Sequence, residues 1–178
     1  MASTGDQFRM PDGSVYIVRR ASGETGGEFV EMEFVLPPGC VPPPPHVHRQ
    51  QVEEYEVLDG QLDVVIEGNW RTLGPGQVAS VPVGALHTFR NRSGGLVRVR
   101  NWHRPAMRFE DFIERTSTTL HAVGVRRKRD PRVPLYLSMI MLEYDETLAP
   151  GRLRERLPMR VLACIARWLP APSAVRRV

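Results

Sequence analysis

The chain has 178 residues, 42% hydrophobic and 25% charged, which suits one domain of moderate size around a single core. Its net charge of +4 is uneven: residues 1–120 hold 12 basic and 15 acidic side chains, whereas residues 121–178 hold 12 and 5. No nucleic-acid module accompanies the basic end, no apolar run reaches the roughly eighteen residues that span a membrane, and Met1 to Gly13 lacks the apolar segment of a signal peptide, so no partners of those kinds are expected.

In chain order, residues 1–13 read as a loose, flexible terminus. Val15 to Arg20 alternates enough for a first strand, and Ala21 to Gly27 is a turn-rich connection. From Phe29 to Leu36, the side chains of Val30, Met32, Phe34 and Leu36 share one face and Glu31 and Glu33 the other, the period of a half-buried strand. Pro37-Pro38-Gly39 ends it, and Pro42 to Pro45 holds the chain extended up to His46. Cys40 and Cys164 lie far apart without partner spacing; they read as free thiols of a reducing compartment, with the cytoplasm as the expected location.

Val52 to Leu58 is a strand closed by Asp59-Gly60, a strong hairpin signal, and Gln61 to Glu67 is its partner. Trp70–Leu73, Gln77–Val81, Leu86–Asn91 and Leu96–Trp102 continue the series. Eight or nine short strands with no helical period before residue 105 describe an antiparallel sandwich or barrel over 14–104.

After Pro105 the period changes. Phe109, Phe112, Ile113, Leu120 and Val123 recur at helical spacing, with Glu110, Asp111 and Glu114 in or near the first turn. Pro134 to Leu148 is a second, broadly apolar helix. Pro158 suits the first turn of a third, running to Leu169, which is read as packing against the barrel or a second subunit. Arg126-Arg127-Lys128-Arg129 reads as a solvated loop between helices. Residues 105–178 are thus expected to be a helical extension from which no function can be read. A homodimer is expected, because it would cover open sheet edges and the apolar tail.

The chemistry concentrates between Gly39 and Asn91. His46 and His48 are two apart, so on a strand they share a face; Glu53 follows a bend, and His87 arrives from a distant strand after Pro82 and Gly84. Three imidazoles and one carboxylate are a full donor set for a divalent transition metal, whether Fe, Mn, Ni, Cu or Zn. Tyr55 and Phe89 share faces with these ligands and stand as pocket wall or core filling. Asn91 on the His87 face and His103 after Trp102 are carried with them, His103 having an ordinary strand-end role as its alternative. His121 reads as a surface or packing residue, and Glu54 and Glu56 as alternating away from the site.

These residues resemble the two motifs of the cupin superfamily. Gly39, His46-Val47-His48, Glu53 and Gly60 match the first, with one residue more between Gly39 and His46 than the family's pattern; Gly76, Pro82, Gly84, His87 and Asn91 match the second. The resemblance covers about 14–104 and implies a mainly β, antiparallel cupin-type barrel of the compact, single-domain, quercetinase-like kind. It implies a metal held by His46, His48, Glu53 and His87, with Glu53 also acting as base, and a small organic substrate in the barrel mouth. The activity expected is a metal-dependent dioxygenase on an aromatic, enolic or polyketide-like substrate. Open beside it stand a redox-neutral cyclase, isomerase or lyase using the metal as Lewis acid, and a non-catalytic ligand-binding module.

Overall fold

The computed structural model describes residues 2–127, 129–151 and 153–169. Lys128 of the basic run and residues 170–178 of the expected extension lie outside them. The strands are β1 (Gln7–Arg9), β2 (Val15–Arg20), β3 (Val30–Leu36), β4 (His46–Val47), β5 (Val52–Asp59), β6 (Leu62–Ile66), β7 (Asn69–Leu73), β8 (Val78–Val81), β9 (His87–Arg90), β10 (Val97–Arg104) and β11 (Ala149–Pro150). The helices are α1 (Phe109–Ala122), α2 (Val133–Glu143) and α3 (Arg156–Trp168).

Two sheets face each other, ordered β1-β2-β3-β10-β5-β8 and β11-β4-β9-β6-β7. Every strand pairing is antiparallel. The period of two in β3 does what it predicts, for Val30, Met32, Phe34 and Leu36 are all buried between the sheets with Tyr55, Val57, Leu62 and Val64. At the Asp59-Gly60 turn the backbone is left-handed (φ 80), and a Cβ on Gly60 would lie 2.7 Å from the Leu96 carbonyl oxygen. Only glycine fits there.

Glu33 sits on the same strand and is nonetheless buried, because Arg19 and Arg98 from the two flanking strands donate to its carboxylate at 2.6–2.9 Å. Burial alone would raise this carboxyl; the hydrogen bonds from Arg98 and Arg19 outweigh it and hold the group below its usual range. A depressed acid stabilises the fold above its unfolded pKa of about 4.3 and loses that contribution as pH falls through the lower folded value. Both arginines are half exposed, so Glu33→Gln should cost only about 1 kcal/mol at pH 7, or about 2–4 °C in Tm. The melting curves of the two proteins should converge below about pH 4; a constant gap down to pH 3 would contradict the account.

Three expectations are corrected. The terminus read as loose contains β1, whose residues pair with Val15–Ile17 of β2, so the sheets reach beyond 14–104 at both ends. The second helix, expected to Leu148, stops at Glu143; after it the chain turns and lays Ala149 and Pro150 as β11 against Val47 and His46. Lastly, the strand carrying His46 covers only His46 and Val47, and His48 falls just past its end.

Helix α1 packs against β1 and α2 against β11, while α3 lies on α2. Phe109, Phe112, Ile113, Leu120 and Val123 of the α1 stripe are buried, and α2, apolar all round, is largely enclosed. Arg126, Arg127 and Arg129 are exposed between α1 and α2, as a solvated loop requires. On α3 the small residues Ala163 and Ala166 face inward, while Leu157, Val161, Ile165 and Trp168 face solvent. Among the described residues, no helix is long and apolar enough to cross a membrane.

Candidate metal centre

His46 on β4 stands directly opposite His87 on β9, with ring centroids 4.2 Å apart. His48 follows β4, and its carbonyl accepts the Gly84 N–H at 2.8 Å, which ties the turn delivering His87 to the histidine pair. Gly84 has φ 78, a conformation most side chains disfavour. Glu53 lies near the start of β5. Ligand atoms of His46, His48, Glu53 and His87 all lie within 4.8 Å of one another. None of the four residues is more than 3% exposed.

Four polar side chains buried together need partners, and where those partners lie decides what the cluster can bind. The Nδ1 atoms of the three histidines each meet a backbone carbonyl: His46 that of Pro44 at 2.9 Å, His48 that of Thr147 at 2.6 Å, His87 that of Ala85 at 2.9 Å. A carbonyl can only accept, so each Nδ1 carries a proton, and it is Nε2 that bears the lone pair whenever the ring is neutral. Burial, and then the neighbouring His87 and His48, push the His46 imidazole well below its usual pKa, which keeps it neutral.

The carboxylate is prepared in the same way. Asn101 on β10 donates to Glu53 Oε1 at 2.8 Å. Glu53 Oε2 lies 2.8 Å from His87 Nε2 but is not aligned for a hydrogen bond, and both atoms are buried without a partner among the described residues. Burial alone would raise the Glu53 carboxyl; His103, His48 and His87 around it outweigh that and hold it well below the usual carboxylate range. Three lone pairs and one anionic oxygen converging in a buried spot suit a divalent transition metal.

The pocket residues sort differently. Tyr55 and Phe89 line a cavity of about 160 Å³ that also reaches His46 and Glu53. Burial, then the Glu53 charge, push the Tyr55 phenol well above its usual pKa, so it stays a donor. Asn91 is not on the cavity wall. Its amide donates to Leu36 and Gly95 carbonyls and its oxygen accepts from Ser93, so it pins the β9–β10 connection. His103 is not on the wall either: it is buried behind the cluster, stacked on Phe109 at 3.5 Å, with Nε2 3.3 Å from His48 Nε2 and 3.4 Å from Glu53 Oε1. Its strand alternates so that it faces Glu53 across the β5–β10 ladder. His121 is exposed and bonds the Ser117 carbonyl; Glu54 and Glu56 pair outward with Arg104 and Arg100. Cys40 is buried and Cys164 exposed, and neither forms a disulfide among the described residues.

Sequence reasoning missed Asn101, the Thr147 carbonyl and the helical side of the cavity. Phe109, Phe112, Leu137 and Met141 close that side, and the proline run lines its rim. The lengthened loop before His46 therefore has a place: Pro43 accepts from Thr88 Oγ1 and Pro44 orients His46. The one usable signal was α2, whose apolar residues occupy every side of the helix and so demand cover.

Residues 32–103 match the protein family described as Cupin domain. Over 92 residues the chain is 30% identical to the quercetin 2,3-dioxygenase of Bacillus subtilis (strain 168), covering 48% of this chain and 27% of that protein. The chain thus spans about a quarter of the length of that curated relative. Among solved structures it is similar to a "predicted oxalate decarboxylase" from Thermotoga maritima (TM-score 0.51, 15% identity, 59% of this chain and 99% of that one). It is also similar to KdgF from Halomonas sp. (TM-score 0.50, 18% identity, 56% and 86%). At these identities the two structures share the fold alone.

Proposed function

We propose that this chain, a protein of the cupin superfamily, is a metal-dependent enzyme that acts on a small organic substrate in the cavity between barrel and helices, and that its reaction is a dioxygenation. The observation that carries the metal reading is the set of three Nδ1–H···O=C bonds, which leave Nε2 of His46, His48 and His87 as the ring nitrogens grouped with Glu53, that of His48 also lying 3.3 Å from His103 Nε2. The likeness to quercetin 2,3-dioxygenase over 92 residues supports the choice of oxygen chemistry.

His46, His48, His87 and Glu53 would hold the ion, leaving it a net charge near +1. When bound, a redox-active ion supplies dioxygen activation, and zinc supplies only polarisation of a carbonyl or water. The chain's own contributions are separable from that. Asn101 holds one Glu53 oxygen, so the other is left to serve as ligand and, toward a bound enol or phenol, as proton acceptor. Phe109 and Phe112 help enclose the cavity, and their apolar faces limit water around the reacting atoms. The exposed stripe of α3 is the surface we assign to a second copy in a homodimer, and two cysteines outside any disulfide support a reducing, cytoplasmic setting.

Elemental analysis of the purified protein, followed by oxygen-electrode measurements with enolic and phenolic substrates after reconstitution with iron, manganese, nickel, copper or zinc, tests the proposal. Oxygen uptake with a redox-active ion and none with zinc is expected. Turnover without oxygen and with zinc would replace the dioxygenase by a redo-neutral cyclase, isomerase or lyase.

A further inference from the structure

We infer that the cavity takes a compact organic molecule with an uncharged, apolar body about the size of one six-membered ring and a single oxygen-bearing end, and that the Tyr55 hydroxyl is the donor that fixes this end beside Glu53. The inference rests on the metal reading only for which end of the ligand points at Glu53.

Size comes first. The cavity measures about 160 Å³, and apolar cavities of about 150 Å³ admit benzene. A ligand of several fused rings would have to displace Phe112 or Met141 from their buried positions. The wall then sets the chemistry. Phe34 and Phe89 come from the barrel and Phe112, Leu137 and Met141 from the helices, and among the described residues no lysine, arginine or side-chain amide lines it.

Its acidic groups point the same way. Asp12 at the rim is committed to the Ser14 and Val41 backbone N–H groups, and Glu53 belongs to the metal cluster. A divalent ion with one carboxylate can offset one negative charge at that end. Nothing on the wall could offset a second on the ligand's body, and a buried charge without a partner costs far more than an apolar contact gains. Phosphorylated and dicarboxylic ligands are thereby excluded.

Tyr55 supplies orientation. It is fully buried, it lines the cavity two residues from Glu53 on β5, and its hydroxyl meets no acceptor in good hydrogen-bond geometry, the Glu53 carboxylate being the polar group beside it. Thr116, the hydroxyl from the helical side, already donates to the Phe112 carbonyl of its own helix, and Tyr16 on β2, edge-on to Phe34, brings a third hydroxyl residue to the wall without adjoining Glu53 in its strand. A buried donor left without an acceptor is a standing cost that a ligand oxygen would remove.

Titration calorimetry on the full chain, both metal-loaded and chelator-treated, with toluene, 4-methylphenol and 4-hydroxybenzoate tests this. Toluene and 4-methylphenol should bind saturably to both forms. To the chelator-treated form, where no ion can take its carboxylate, 4-hydroxybenzoate, the same ring with a charge opposite the hydroxyl, should bind at least about tenfold more weakly than 4-methylphenol. Tyr55→Phe should weaken 4-methylphenol about fivefold and leave toluene unchanged. Equal binding of 4-hydroxybenzoate and 4-methylphenol to the chelator-treated form, or no saturable toluene binding, would overturn the ligand class; equal effects of Tyr55→Phe on both neutral probes would overturn the role of the hydroxyl. A protein that retains no metal yet binds toluene defeats the metal reading and leaves the ligand class standing, and metal retention without toluene binding does the reverse.

Discussion

Replacing His87 with alanine is expected to strip the metal from the protein. Loss of a group that merely supports a ligand costs metal affinity about 10–100-fold, so loss of a ligand should cost at least as much. His87 also faces Glu53 Oε2 at 2.8 Å, and alanine would leave that buried oxygen looking into a void. After loading and gel filtration into metal-free buffer, wild type should keep close to one ion per chain and His87→Ala less than about a tenth of that. The exposed imidazole of His121 lies outside the cluster, so His121→Ala should match wild type. A bound ion stabilises the folded chain by about 2.7 kcal/mol at a hundred times its Kd, which is about 5–11 °C for a protein of this size. Chelation should therefore lower the wild-type Tm by that order and leave His87→Ala unmoved. Equal metal content in the two proteins would remove His87 from the donor set.

The largest loss of stability without loss of a ligand should come from Phe109→Ala. Phe109 opens α1, stacks on His103 at 3.5 Å, lies 6.2 Å from the His48 ring and 6.4 Å from Phe112, and is buried. Truncating a buried phenylalanine costs about 3–5 kcal/mol, part of it the cavity left behind. At about 2–4 °C per kcal/mol the melting temperature should fall by about 6–20 °C. Phe109 supplies none of the carbonyls that hold the histidines, so metal retention at 20 °C should persist. A variant that lost its metal while melting like wild type would show that Phe109 acts on the cluster rather than on the packing of helix against barrel.

The parts of this molecule that could be read from its residues are those encoded locally. Val30, Met32, Phe34 and Leu36 announce a strand because alternation is a property of one short segment. His46, His48 and Glu53 announce a site because they lie within eight residues, and Pro82 and Gly84 mark the turn before His87. What escaped depends on contacts between distant segments. Asn101 looks like any polar residue of a strand until the register sets Tyr55 opposite it and Glu53 within reach. Asn91 sits in a motif position and yet spends its whole amide on backbone groups of its own loop and of β3. The end of α2 at Glu143 was misjudged because apolar Leu148 continued the pattern, whereas its burial comes from the cavity and not from a longer helix.

The hydrogen bond from His48 to the Thr147 carbonyl joins residues 99 positions apart, and Thr147 lies well beyond residue 103, where the family match ends. During synthesis at about 5–20 residues per second, His48 leaves the ribosome about 5–20 s before the carbonyl that fixes its tautomer. Until then the nascent chain carries three histidines and a glutamate with one ring still free to turn. An ion held by these four side chains would therefore be chosen by the finished fold, after translation, on a schedule set by the last third of the chain.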